Sequence, residues 1–257
     1  VKWTTTGQWG GNNEGNPIQD LMEGGHSISN VDHLSISGDL NVNLAKGLVW
    51  NTIVGGNLHN ANLTQEQKSI LRYSVKPDVV IGKLYVPNSL IRKQTKTLYR
   101  NVQSYLTYEP GAIKKHHFKW MGGLSYEDYS SDVFSAQRQE FLSNDMMTSL
   151  DLGIGNQYGS GNMTEWGIAS AFARFNYNYN QKYYLEASFR ADGSSRFVKK
   201  HRWGFFPSVS ASWRISEEDF LKDQHILSDL KLRASWGNTG NQNSIGLYDY
   251  IAQMKDR

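Results

Sequence analysis

The chain has 257 residues, 39% hydrophobic and 12% aromatic, a net charge of +3 and no cysteine. The length suits one large domain or two small ones; the missing cysteine excludes disulfides and thiolate metal sites; so small a basic excess, without a basic stripe, gives no support for nucleic acid as a partner. No apolar run approaches the roughly 18 residues of a spanning helix, which excludes a helical membrane protein but not a transmembrane barrel, whose strands are half polar.

VKWTTTGQWG lacks the apolar segment of a signal peptide, and IAQMKDR follows a loop with no closing strand. The chain is therefore expected to be an internal segment of a longer protein. Period-two alternation then predicts a series of strands. Over 31–44, Leu34, Ile36, Leu40, Val42 and Leu44 share one face, and His33, Ser35, Ser37, Asp39, Asn41 and Asn43 the other. After a turn at 45–47, Leu48, Trp50, Thr52, Val54 and Leu58 continue the mostly apolar set. The second hairpin sets Leu98, Val102, Leu106 and Tyr108, then Phe118, Trp120, Leu124 and Tyr126, against polar neighbours around a turn at 110–115.

A third hairpin spans 167–190. Its apolar face carries Ala169, Ala171, Ala173, Phe175, Tyr177 and Tyr179, then Tyr183, Leu185, Ala187 and Phe189, around a turn at 180–182. In the fourth, Val209, Ala211, Trp213 and Ile215 oppose Ser208, Ser210, Ser212 and Arg214. Residues 216–229 lead to Leu230, Leu232, Ala234 and Trp236, which alternate with Lys231, Arg233 and Ser235.

Short links alternate with long polar segments at 60–96, 128–166 and 192–203, the layout of an outer-membrane barrel with turns on one side and loops on the other. Aromatics also gather at strand ends, where amphipathic rings suit a membrane interface. A soluble β-sandwich with an aromatic-rich core fits the alternation as well, and as a carbohydrate-binding module it would stack exposed Trp and Tyr on sugars.

Catalytic patterns find no support. His116 and His117 are adjacent, so in a strand they point to opposite faces and cannot share a metal. Glu217, Glu218 and Asp219 fall in a predicted turn, where capping or solvation explains them. Gly153-Ile154-Gly155 and Gly159-Ser160-Gly161 lack the strand and helix of a phosphate loop. The serines of Asp192-Gly193-Ser194-Ser195 lack a nucleophile elbow. The chain is expected to be neither an enzyme nor a cofactor binder, and Lys199, Lys200, His201 and Arg202 read as a solvated loop.

RADGSSRFVKKHRWGFFPSVSASWRISEEDFL, from Arg190 to Leu221, resembles the signature of the SusC/RagA family of TonB-linked outer-membrane proteins. The matching residues are Asp192, Gly193, Ser194, Ser195, Arg196, Phe197, Arg202, Trp203, Gly204, Phe206, Pro207, Ser208, Trp213, Arg214, Ile215, Ser216, Glu217 and Glu218. LKLRASWGNTGN is similar to the family's next strand and loop, although Tyr is more usual at Trp236. NPIQDL, the Lys46-Gly47-Leu48 turn and HHFKWMGGLSYEDY are similar to earlier barrel segments. Loops 60–96 and 128–166 match nothing in the pattern.

The resemblance implies an all-β fold: an antiparallel transmembrane β-barrel segment, about nine strands of a 22-stranded plugged barrel, with long extracellular loops and short periplasmic turns. Residues 1–257 would be part of the barrel domain, without the plug, the TonB box or the barrel ends. It further implies a multi-pass protein of the Gram-negative outer membrane, surrounded by its lipid and importing oligosaccharide or, in the RagA branch, peptide. Partners would be a SusD-like surface lipoprotein acting as a lid and the TonB–ExbB–ExbD energy-transducing complex. Ser208, Ser210, Ser212, Arg214, Lys231 and Arg233 are the lumen-facing candidates; no cargo-binding residue is assigned.

Overall fold

The computed structural model describes residues 2–3, 7–10, 16–74, 79–221 and 228–249; the IAQMKDR end lies outside them. In chain order the elements are β1 (Lys2–Trp3), β2 (Trp9–Gly10), α1 (Pro17–Glu23), β3 (Ser27–Ala45), β4 (Leu48–Gln67), β5 (Ile70–Tyr73), β6 (Val80–Leu84), β7 (Ser89–Tyr108), β8 (His116–Gln139), β9 (Gln157–Tyr179), β10 (Tyr183–Ser194), β11 (Trp203–Arg214) and β12 (Lys231–Gly237). Among the described residues the main sheet has eight strands, ordered β12-β11-β10-β9-β8-β7-β4-β3, and a small one is ordered β1-β2-β5-β6.

Two of the expected loops are largely strand. β4 continues to Gln67, β5 and β6 pair with each other, and β7 starts at Ser89, so most of the segment 60–96 is paired backbone. β8 likewise runs on to Gln139 and β9 begins at Gln157. NPIQDL opens a short helix: Asn16 caps α1, its side chain accepting from Ile18 N at 3.1 Å, and Pro17 takes the first turn, where its missing N–H costs nothing.

The chain divides into two compact units. One comprises Val1–Leu34, Leu58–Thr97 and Ser131–Met163; the other Ser35–Asn57, Leu98–Ser130 and Thr164–Arg257.

In the first unit, Leu90, Phe141 and Met147 form a small buried core against Leu150. Two asparagines tie its segments together as substitute backbone. Asn88 Nδ2 donates to Phe141 O at 3.1 Å while its Oδ1 accepts from Phe141 N at 2.8 Å. Asn144 Nδ2 donates to Ser69 O at 2.6 Å and its Oδ1 accepts from Ser69 N at 3.1 Å.

In the second unit, the register places Ala187 between Phe175 and Val209, and Leu185 between Tyr177 and Ala211. Trp236 pairs with Val209 and Leu232 with Trp213. One face is therefore apolar over four strands and the other polar, as the alternation predicts. No second sheet covers the apolar face among the described residues: Val209 is 42% exposed, Leu232 62% and Trp236 61%. A sandwich core would be closed there.

Candidate functional site

The apolar face of β11 carries Trp213 at one end and Trp203 at the other, with Phe205, Pro207, Val209 and Ala211 between. That interval matches the roughly 9–11 residues of a tilted transmembrane strand, with an amphipathic indole at each boundary. At the Trp213 end the rings continue from strand to strand: Trp213 stacks on Tyr183 at 6.5 Å, Tyr183 on Tyr179 at 6.3 Å, and His116 meets Tyr179 at 4.9 Å. Phe118 follows against His116, Trp120 against Phe118, and Tyr108 against Trp120 at 5.8 Å. The one polar atom of His116 that is engaged, Nδ1, shares a hydrogen bond with Tyr177 Oη at 2.8 Å. Other polar groups on this face are paired too: Trp50 Nε1 donates to Ser104 Oγ at 2.8 Å, and Thr52 and Ser104 share a bond at 3.1 Å.

The opposite face is wet. Ser208, Ser210, Ser212 and Arg214 of β11 share it with Lys231 and Arg233 of β12, Arg233 lying opposite Ser212. Four of these, Ser210, Ser212, Lys231 and Arg233, line a hollow of about 500 Å³ together with His117 and Glu186. His116 and His117 thus do part to opposite faces. Lys231 sits 4.0 Å from the Tyr184 ring, and Ser188 Oγ meets Ser208 Oγ at 2.7 Å. Arg214 is drawn away from the hollow: its Nε donates to Asp229 at 2.8 Å, and Glu217 lies 3.5 Å from its Nη1. That guanidinium holds the Asp229 carboxyl below its ordinary range.

The signature residues brace the ends of the β10–β11 hairpin. Asp192 pairs with Arg190 at 2.6 Å. Gly193 lies under the Trp203 indole, where an added Cβ would be 3.0 Å from the ring. Ser195 N donates to Gly167 O and Ser195 Oγ accepts from Gly167 N, both at 2.9 Å. Arg196 lies over Trp166 at 5.7 Å and donates through Nη1 to Ile245 O at 3.1 Å and Gln242 O at 3.3 Å. Trp166 also stacks on Tyr129. Arg196 thereby ties the segment 238–249 to β9.

At the other end, Glu218 accepts from Tyr183 Oη at 2.5 Å, Lys182 Nζ at 3.0 Å and Trp213 Nε1 at 3.0 Å. Solvation or capping described this carboxylate in the sequence; three converging donors are what it has. No local spacing reveals this, because Lys182 and Glu218 are 36 positions apart. Trp166 and Gln242 were missed for the same reason.

Residues 1–253 match the family described as TonB dependent receptor-like, beta-barrel. A TonB-dependent receptor of Formosa agariphila is 32% identical over 216 residues, 83% of this chain and 20% of that one. The TonB-dependent receptor SusC of Bacteroides thetaiotaomicron is 54% identical over 76 residues, 30% of this chain and 8% of that one. Among solved structures, the RagAB peptide transporter superposes with a TM-score of 0.80 at 24% identity, covering 92% of this chain and 25% of that one. The RagAB peptide importer in its open-open state gives 0.79 at 25% identity, with the same two coverages. The chain spans a fifth or less of these curated relatives and a quarter of those solved chains. With its two-faced antiparallel wall and a family match over nearly its whole length, the chain belongs to the TonB-dependent receptor β-barrel family, where it is similar to SusC and RagAB and covers part of the barrel.

Proposed function

We propose that this chain forms wall of a TonB-dependent importer in the Gram-negative outer membrane, taking up nutrient oligomers, oligosaccharides before peptides. The observation that carries the reading is the apolar face bounded by Trp203 and Trp213, exposed on one side of a sheet whose other side is hydroxyl, amide and charge. A face of that height and composition is suited to lipid, and the wet face to a lumen through which cargo passes. On this reading Ser208, Ser210, Ser212, Lys231 and Arg233 face the lumen, while Arg214 braces the turn at its rim. The turns at 46–47, 109–115, 180–182 and 215–230 lie on the periplasmic side, and the opposite links face outward. The wall does no chemistry; movement of cargo is driven through TonB–ExbB–ExbD, and a SusD-like lipoprotein closes the outer mouth.

Affinity purification of the full-length protein from detergent-extracted outer membranes, with mass spectrometry of what accompanies it, tests this reading. A stoichiometric SusD-like lipoprotein is the expected result. Recovery from the soluble fraction alone would overturn it and restore the carbohydrate-binding module.

A further inference from the structure

We draw no further inference here: the strongest candidate, the edge of β9 over 157–163, which runs past the end of β10 at Ser194 with no strand beside it there among the described residues, carries nothing because the structure does not show what covers it.

Discussion

Glu218 accepts a hydrogen bond from the Lys182 ammonium at 3.0 Å, joining the link at 215–230 to the turn at 180–182. Tyr183 and Trp213 close on the same carboxylate, so two neighbouring hairpins end on one acid. Hydrogen bonds from Tyr183, Lys182 and Trp213 bring its pKa down from 4.5 to about 2, and the same contact raises that of Lys182. A folded-state pKa below the unfolded one stabilises the fold fully above pH 4.5, and that contribution is lost as pH falls toward 2. Glu218→Gln should therefore lower the unfolding temperature of the full-length protein in detergent at pH 7. The gap to wild type should close between pH 4.5 and 2; a gap constant over that window would show that the carboxylate charge is not what joins the turns.

Lysine scanning of β11 distinguishes its two faces. Val209→Lys and Ala211→Lys are expected to cost roughly 2–4 kcal/mol each in bilayer folding equilibria, as charges placed near mid-membrane do. Ser210→Lys, on the wet face, should assemble normally. Equal tolerance on both faces would reverse the assignment of lipid and lumen.

Asn88 and Asn144 each replace a stretch of strand pairing with one side-chain amide. Asn144→Ala removes the partners of both Ser69 N and Ser69 O, and Asn88→Ala those of Phe141, at about 1–3 kcal/mol for each substitution. Amide hydrogen exchange should quicken at 69 and at 141–144 and stay as it was at 183–214. Slowed or unchanged exchange at 69 in Asn144→Ala would mean that water or another group pairs with Ser69.

Arg196→Lys keeps the charge but loses the planar fork that lies over Trp166 while reaching two carbonyls. A loss of about 1–2 kcal/mol is expected, confined to the segment 238–249. Protease cutting within that segment should rise several-fold, with β10 and β11 left intact. Cutting at the wild-type rate would show that Gln242 and Ser194 hold the segment without Arg196.

The alternation of Phe175, Tyr177 and Tyr179, or of Val209, Ala211 and Trp213, was legible because apolar residues fall on one face of the strand and their polar neighbours on the other. Where polar side chains fall on both faces of a strand, that signal weakens although the backbone still pairs, and 60–67, 89–96, 128–139 and 157–166 read as loop for that reason. NPIQDL carries a local signal of another kind, an Asn-Pro pair that caps and starts a helix.

By itself, then, the sequence determined which faces are apolar, where the tight turns fall and which family the signature resembles, since all three depend on residues within a few positions of one another. Only the tertiary structure decided that Glu218 gathers three donors, that Arg196 holds the segment 238–249 to Trp166, and that Phe206, Gly240 and Gln242 enclose one cavity. Each of these joins residues far apart in the chain, and strand register, a property of the whole sheet, is what brings them within reach.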